Sequence, residues 1–381
     1  MTDADPLGGL GHDAESPGRD QSVPEAPRRR EVHRAPPAPT TLALLALLGA
    51  MFLVEIAVGG KFGADSLALF RLGALSPAAV LDGDWWRIGS YAFLHAGPLH
   101  LLFNAYALWI LMRPLEGMFG AATSLGLFSA TAIVGGAASI AAALFLRHVP
   151  WQSAVGASGG IFGLFGAHIA LYWRLRTRLT AEQRRGAART LLVNLLLNLV
   201  LAFGASAVGL ALDNAAHAGG FLSGIALGLI APSHVLPRRS WNTPAFGLLA
   251  VATLALAAME SAAIARAVRP APRTLRAGAT EVRLPWNLIP GPDGRALSVD
   301  GYAVAIRRAR GSLVGGHPMT LGNREWAEFS TETPQGTPMT VLASPDGATN
   351  VVVEAWCEAD CSDQDRAALA EQVAASMRAV H

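Results

Sequence analysis

Long stretches of apolar residues, separated by short polar connections, follow one another through the middle of the chain. Seven of these runs are long enough for a helix that crosses a bilayer core, which takes roughly 17 to 25 residues. They occupy residues 41–58, 98–115, 123–146, 157–173, 190–212, 215–231 and 245–265. Several runs contain His, Asn or Gly, which is typical of helices buried in a bundle. The pattern predicts an all-α multi-pass membrane protein with a seventh helix at 245–265.

Polar segments flank the apolar runs on both sides. Residues 1–40 are rich in proline and charge and nearly free of large apolar side chains, which predicts a disordered N-terminal tail. Residues 270–381 predict a small soluble α+β domain of unknown role, in which Ser362 and Asp365 begin a helix that runs to about Ala379. Strand patterns cover residues 302–306, 339–343 and 350–356, with Pro-Asp-Gly turns at 292–294 and 345–347.

Composition agrees with a membrane protein. The chain has 381 residues, of which 52% are hydrophobic and only 15% charged, whereas a soluble chain is about a quarter charged. The formal net charge of +2 gives no reason to expect a nucleic-acid partner. Two cysteines, Cys357 and Cys361, are too few for a disulfide scaffold or a four-cysteine zinc site, although they are able to pair in an oxidising compartment.

Arginine clusters predict the orientation in the membrane. Three clusters lie before the first run, after the fourth and after the sixth, so that an even number of runs separates them: Arg28 to Arg34, Arg174 to Arg189, and Arg238 with Arg239. The positive-inside rule places these connections in the cytoplasm. We therefore expect a bacterial plasma (inner) membrane protein with a cytoplasmic N-terminus and an extracytoplasmic C-terminal domain. Arginines that follow the seventh run, from Arg266 to Arg276, argue against that last crossing.

One serine stands among glycines at the opening of the fourth run. Residues 155–163 read Val-Gly-Ala-Ser-Gly-Gly-Ile-Phe-Gly and include Ser158. The segment matches the G-x-S-x-G pattern of a nucleophile elbow, but that elbow needs a preceding strand in a soluble sheet, and here the flanks are transmembrane. The glycines alone are explained by close helix packing, with Ser158 as a small filler. Both interpretations stay open on this segment alone.

One histidine, His217, lies near the start of the sixth run and is followed by Gly220 and Gly224. Glycines four residues apart line one helix face and let a neighbouring helix approach closely. A histidine in an apolar helix is costly to bury and is often functional, although it also occurs as a hydrogen-bonded core residue.

Successive membrane crossings alternate in direction, and this places Ser158 and His217 on the same side. The fourth and sixth runs both enter from outside, so Ser158 and His217 should share one depth in the outer leaflet. A neutral imidazole there is able to act as general base for the serine and to return the proton to a leaving amine. Phe162 lies one turn beyond Ser158 and is placed to pack against that imidazole, although an aromatic here is also ordinary core.

The second run begins at the same outer depth and supplies further polar groups. His100 and Asn104 share one face at i and i+4. With the backbone N–H of Ser158, they would form an oxyanion hole; hydrogen bonding between helices is the other explanation. No H-E-x-x-H motif occurs, so we predict no metal site, and no cofactor is implied.

Taken together, these elements resemble the rhomboid intramembrane serine proteases. The matching elements are Trp86-Arg87, His100 to Asn104, Glu116 with Gly120, Gly156 to Gly159, and His217 with Gly220 and Gly224. The resemblance implies a six-helix catalytic core over residues 41–232, with Ser158 as nucleophile and His217 as base. It further implies oxyanion donation by His100, Asn104 and the Ser158 amide, and supporting roles for Trp86 and Arg87.

Substrates implied by the resemblance are single-pass membrane proteins, cut near the outer membrane boundary, so the partners expected are such proteins and the lipid bilayer. A competing class is a non-catalytic membrane scaffold or a transporter that uses the glycine faces for packing. A transporter is expected to show repeated halves and broken helices, and the sequence shows neither.

Overall fold

The structure is a computed structural model. It describes residues 38–59, 65–147, 152–207, 213–237, 242–277, 280–291, 294–298, 301–310, 315–321, 323–346, 349–357 and 362–379. The predicted N-terminal tail up to residue 37 lies outside these ranges. The same is true of Arg238, Arg239 and Cys361.

The apolar part of the chain is helical. Its helices are α1 (Pro39–Gly59), α2 (Ser66–Leu72), α3 (Pro77–Leu81), α4 (Arg87–Ser90), α5 (Pro98–Phe119), α6 (Ala121–Ala142), α7 (Ser158–Leu175), α8 (Ala181–Ala207), α9 (Asn214–Ile230) and α10 (Asn242–Val268). A π-helical turn at Ala143–Arg147 extends α6. Each predicted run falls on a helix, except that residues 208–212 of the fifth run lie outside the described ranges.

Three helices within the described ranges are long and apolar enough to cross a membrane: Pro39–Gly59, Ala121–Arg147 and Pro244–Val268. The helices that carry the candidate chemistry are shorter or more polar. Of these, α9 is an apolar helix of only 17 residues, and α7 has 18 residues and includes Arg174. The chain therefore combines long apolar helices with shorter ones that contain glycine and histidine.

The two ends of the helix bundle are distinguished by polar contacts. At one end, the Glu116 carboxylate accepts hydrogen bonds from the N–H groups of Thr40 and Thr41, both 2.9 Å, and from the Thr41 hydroxyl, 2.7 Å. These bonds satisfy N–H groups that the first turn of α1 leaves unpaired. At the same end, Arg174 caps α9 by donating to the carbonyls of Gly228 and Ala231, both 2.8 Å. Since α5 is about 33 Å long, its beginning lies at the opposite end.

Residues 65–97, the α1–α5 connection, hold the three short helices α2, α3 and α4 and a 3₁₀ turn at Tyr91–Phe93. Asp65 and Ser76 cap α2 and α3 by accepting from backbone N–H groups. Sequence patterns did not predict these helices, because each is too short to show a period. Leu75 exchanges two 2.9 Å backbone hydrogen bonds with Ala154, so the connection lies against the segment that precedes α7.

The C-terminal region is β-rich. Its strands are β1 (Arg273–Ala277), β2 (Thr280–Leu284), β3 (Leu288–Pro290), β4 (Arg295–Ser298), β5 (Tyr302–Ala309), β6 (His317–Leu321), β7 (Arg324–Glu332), β8 (Pro338–Asp346), β9 (Thr349–Cys357) and β10 (Met377–Ala379). Within the described ranges the order is β3-β4-β5-β9-β8-β7-β6 in one antiparallel sheet and β1-β2-β10 in another. Helix α11 (Asp363–Ala375) packs Ala370 and Val373 onto the core of the larger sheet.

Two details differ from the sequence prediction. The last helix ends at Ala375 rather than near Ala379, because Met377–Ala379 pairs with β2 in the smaller sheet. Pro345 and Asp346 belong to β8 and not to the predicted turn, since they pair with Asn350 and Thr349. Residues 347–348, between β8 and β9, lie outside the described ranges.

Candidate functional site

Two parallel helices bring a serine and a histidine into hydrogen-bond contact. Ser158 is the first residue of α7, and His217 lies in the first turn of α9. The Ser158 Oγ and His217 Nε2 atoms are 2.8 Å apart, and both side chains are half-buried. When Nδ1 carries the proton, Nε2 accepts from the hydroxyl, which is the geometry of a nucleophile and its base. The contact joins residues 59 positions apart.

Glycines allow this approach. A Cβ atom at Gly220 would lie 2.0 Å from the Gly159 carbonyl oxygen, and one at Gly224 would lie 2.0 Å from that of Gly163. Both distances are far below van der Waals contact, and both atoms belong to the α7 backbone. The structure therefore places Gly220 and Gly224 at the line of closest approach between α7 and α9.

Two neighbours position His217, one at its ring and one at its backbone. Phe162 stacks on it with ring centroids 4.3 Å apart and planes inclined by 15°. Asp213 caps α9: its carboxylate accepts from the Ala216 N–H at 3.1 Å and from the Ser139 hydroxyl. Since the Asp213 carbonyl also accepts from the His217 N–H at 3.0 Å, this cap fixes the backbone that carries the histidine.

His100 and Asn104 of α5 lie beside Gly156, two residues before Ser158. A Cβ at Gly156 would be 2.9 Å from His100 Nε2 and 3.8 Å from Asn104 Nδ2. Gly156 also has a φ of +129°, a conformation that favours glycine. His100 Nδ1 accepts from the Ala96 N–H at 3.3 Å, so a neutral ring carries its proton on Nε2.

Asn104 has one donor to spare. Its Nδ2 donates to the His100 carbonyl at 3.0 Å, and an amide nitrogen carries two hydrogens. The N–H groups of the first turn of α7 have no partner within their own helix and give that end positive character. Three kinds of donor therefore surround the space beside Ser158.

Trp86 and Arg87 lie in the α1–α5 connection and are not brought to the Ser158–His217 pair. Arg87 is buried and donates to the carbonyls of Phe70 at 2.7 Å and Ala74 at 2.9 Å, and to Asp84 at 3.0 Å. Burial lowers the pKa of Arg87 to about 10, and the Asp84 carboxylate opposes that shift; the side chain is still cationic at neutral pH. The residue organises loop backbone.

Several contacts near the site had no signal in the sequence. The Tyr91 carbonyl accepts from the Gly156 N–H at 3.0 Å, and the Tyr91 hydroxyl donates to the Ala132 carbonyl at 2.9 Å. Glu55, buried in α1, accepts from the His95 N–H at 3.0 Å. The His95 ring meets that of His100 edge-on, 5.1 Å away. The hydrogen bonds of Tyr91 and Glu55 join distant parts of the chain, which no local pattern shows.

The described residues contain no group of three or more His, Cys, Asp or Glu side chains arranged to hold a metal ion. The arrangement beside Ser158 is one of hydroxyl, imidazole and N–H groups. Such groups perform acyl transfer through a serine nucleophile and a donor-lined pocket for the oxyanion.

Residues 82–234 match the Rhomboid domain family, and this stretch contains every residue of the candidate site. The chain is 37% identical over 182 residues to Rhomboid protease GluP of Bacillus subtilis, covering 47% of this chain and 32% of that protein. It is 32% identical over 188 residues to RHOMBOID-like protein 5 of Arabidopsis thaliana, covering 49% and 57%.

Residues 82–234 of this chain thus match a rhomboid domain, and the relatives that the chain resembles are rhomboid proteins. A third rhomboid relative, Rhomboid-like protease 3 of Toxoplasma gondii, is 29% identical over 180 residues, which cover 46% of this chain and 63% of that protein. The alignments thus span between 32% and 63% of these relatives. Within this chain, α1, α10 and the C-terminal strands lie outside the stretch matched by the rhomboid domain. Rhomboids are membrane-embedded, so the apolar helices belong to a membrane protein.

The donors of this rhomboid site lead to a first testable prediction. Replacing Asn104 or His100 by alanine should each lower kcat about a hundredfold with a smaller change in KM, because one oxyanion donor acts mainly in the transition state. The measurement is steady-state cleavage of a membrane substrate in reconstituted bilayers. Leu102→Ala, which truncates an exposed side chain of α5, serves as control. Native rates in both Asn104→Ala and His100→Ala would exclude the oxyanion role.

Proposed function

We propose that this rhomboid is an intramembrane serine endopeptidase that works through a Ser-His dyad. The observation that carries the proposal is the 2.8 Å contact between Ser158 Oγ and His217 Nε2. It occurs at the beginnings of two glycine-packed helices, beside His100 and Asn104. The named rhomboid proteases among the relatives support the same activity.

The chemistry follows from the contact. His217 Nε2 takes the hydroxyl proton as Ser158 Oγ attacks the carbonyl carbon of the scissile bond. The resulting oxyanion accepts from His100, Asn104 and the Ser158 N–H. The tetrahedral intermediate then collapses, the C–N bond breaks, and the imidazolium gives its proton to the leaving amine. Water, activated by the same imidazole, hydrolyses the acyl-enzyme. In the part of the chain that the structure describes, no carboxylate bonds to the His217 ring, so we assign a dyad.

The core proposed for this activity comprises six membrane helices within residues 41–232, with α10 as a seventh. Helices α5, α7 and α9 all begin at the site end of the bundle, which accounts for the common depth of their polar residues. Helix α9 has only 17 residues, and a short helix leaves room for water above its end. We propose that water reaches the dyad there, because peptide hydrolysis consumes one water molecule.

The substrates proposed are single-pass membrane proteins. A helical amide is hydrogen-bonded and covered by side chains, so the segment to be cut has to unwind before Ser158 reaches its carbonyl carbon. Glycine and proline weaken helices, and cleavage is therefore expected where such residues lie near the membrane boundary.

A direct test uses the purified protein in lipid vesicles with a generic single-pass substrate that carries a fluorescent tag at each end. The proposal predicts two fragments, a cut within or beside the transmembrane segment, and covalent labelling of Ser158 by a fluorophosphonate that competes with cleavage. Mass spectrometry identifies both the cut bond and the labelled residue. Folded protein that produces no fragments and takes up no label would instead favour the non-catalytic scaffold.

Orientation in the membrane gives a second prediction. The C-terminal domain contacts the site end of the bundle through Arg273, which pairs with Asp82 and Asp84, whereas the α7–α8 connection lies at the other end. Cys357 is disulfide-bonded, which suits an oxidising compartment. We therefore propose that the site and the C-terminal domain face outward and the N-terminus faces the cytoplasm.

Cysteine accessibility measures this orientation. Thr331→Cys places an exposed thiol on β7, and Arg185→Cys places one at the start of α8. An impermeant maleimide added to intact cells is expected to label the first variant and to label the second only after permeabilisation. The reverse pattern would contradict the orientation, and labelling of neither variant in intact cells would mean that α10 does not cross the membrane.

A further inference from the structure

We propose that Arg273, the first residue of β1, is a positioning residue for peptide cleavage. Its ion pairs with Asp82 and Asp84 hold the α1–α5 connection against the segment that carries Ser158. This role gives the C-terminal domain a part in the reaction, and it rests on the proposed protease function.

The contact between Arg273 and the connection, the Arg273 junction, is shielded from solvent. The Arg273 side chain is only 11% exposed, and its two terminal nitrogens pair with the carboxylates of Asp82 and Asp84. Asp84 also accepts from Arg87 at 3.0 Å, so one carboxylate joins the two arginines. Exposed ion pairs contribute little to stability, but breaking a shielded pair leaves an uncompensated charge and costs much more.

Apolar contacts lie beside these charges. Trp286, in the turn before β3, stacks on Phe70 of α2 with ring centroids 6.3 Å apart and planes inclined by 19°. Arg273 Nε donates to the Trp286 carbonyl at 3.3 Å. Ile289 of β3 is buried in one cluster with Phe70, Ala78 and Ala79. The C-terminal domain thus meets the connection through packed side chains as well as through ion pairs.

A continuous set of hydrogen bonds leads from the junction to the nucleophile. Arg87, paired with Asp84, donates to the carbonyls of Phe70 and Ala74. The next residue, Leu75, exchanges two backbone bonds of 2.9 Å with Ala154.

A further hydrogen bond joins the α1–α5 connection to the segment that precedes Ser158. The Tyr91 carbonyl accepts from the Gly156 N–H at 3.0 Å, and Gly156 stands two residues before Ser158. The segment 154–156 is therefore held to the connection at both ends, and its position determines where α7 begins. Displacement of a catalytic group by about 1 Å is enough to cost roughly a hundredfold in rate.

The network separates Arg273 from an ordinary surface arginine. Arg276, on the same strand, pairs with Glu281 at 3.6 Å, and its side chain is 77% exposed. Its replacement changes the charge of β1 equally but leaves the α1–α5 connection untouched. Arg276→Asp is therefore the matched control for Arg273→Asp.

The experiment is a double-mutant cycle on the full chain in lipid vesicles. Its members are Arg273→Asp, Asp82→Arg, the charge-swapped double variant, and Arg276→Asp. Each is assayed for kcat, KM, thermal stability and the rate of fluorophosphonate labelling of Ser158. The labelling rate measures the reactivity of Ser158 independently of how the protein substrate is recognised. Arg273→Gln joins the series to cover poor folding of the charge reversal.

Positioning predicts that Arg273→Asp, or Arg273→Gln in its place, lowers kcat and the labelling rate about tenfold or more, with little change in KM. The charge-swapped variant should recover part of both rates, because the pair with position 82 is restored while the new carboxylate at position 273 still faces Asp84. A double-mutant cycle reports this recovery as coupling between the two side chains. Arg276→Asp should keep the native values.

Three results would overturn the proposal in distinguishable ways. If the native chain cleaves its substrate and the Arg273 variants keep the native kcat and labelling rate, only the positioning role is refuted. A lower melting temperature with an unaltered labelling rate per folded molecule shows that the junction is merely structural. A native chain that neither cleaves nor takes the label at Ser158 removes the protease function and, with it, this role.

Discussion

Replacing Ser158 by alanine is expected to abolish cleavage, with turnover lowered by at least about ten-thousandfold. The hydroxyl is the only group of the dyad that forms a bond to the substrate, so alanine leaves no nucleophile. The loss should appear in kcat, while the protein inserts and purifies as the native chain does, because Ser158 is small and half-buried. Ser223→Ala is the matched control, since Ser223 lies in α9 and its hydroxyl donates to the carbonyls of Gly219 and Gly220 of its own helix.

His217→Ala is expected to reduce turnover nearly as much as Ser158→Ala. The double variant should be no slower than either single one, because the two residues act as a unit. The exposed His317 of β6, changed to alanine, controls for loss of an imidazole elsewhere. Near-native turnover in either Ser158→Ala or His217→Ala would refute the dyad.

The second large effect is expected from a single methyl group between α7 and α9. Gly220→Ala and Gly224→Ala each place a Cβ 2.0 Å from an α7 carbonyl oxygen. The backbone has to move, since no flexible side chain is there to yield. We expect each change to lower the free energy of unfolding by about 3 kcal/mol and to lower cleavage together with it, because a wider gap separates Ser158 Oγ from His217 Nε2.

Gly247→Ala provides the comparison. Gly247 lies in α10 with nothing within 4 Å of a Cβ, and alanine favours helix over glycine by up to about 1 kcal/mol. Thermal unfolding in detergent and cleavage in vesicles are measured on all three variants. Gly220→Ala and Gly224→Ala proteins as stable and active as Gly247→Ala would mean that this helix face does not determine the dyad distance.

Sequence alone determined the helices and the residues of interest. Apolar runs separated by polar connections predict membrane helices without any knowledge of how the helices pack, because each apolar run is buried away from water. The residues also stand at recognisable places: Ser158 and His217 open their runs, and Gly220 and Gly224 repeat at helical spacing. Parity of the connections is enough to place them at one depth. These inferences depend only on local pattern and on the two sides of a bilayer.

Only the tertiary structure decided which atoms meet. The sequence gives no distance between Ser158 and His217, no reason for Gly156 to face His100, and no role for Tyr91 or Glu55. The resemblance implied supporting roles for Trp86 and Arg87, but only the structure shows that Arg87 donates to backbone carbonyls of the α1–α5 connection. These contacts join residues from distant parts of the chain, and each depends on how several helices pack at once.

The C-terminal domain shows the same division. Val-rich patterns predict β9 and most of β8, because a run of β-branched residues bounded by turn residues indicates a strand from local sequence alone. Nothing in those patterns predicts that Arg273 pairs with Asp82 and Asp84, nearly two hundred residues away. Ion pairs have no periodicity, and which carboxylate an arginine meets is decided only when the domain packs against the α1–α5 connection.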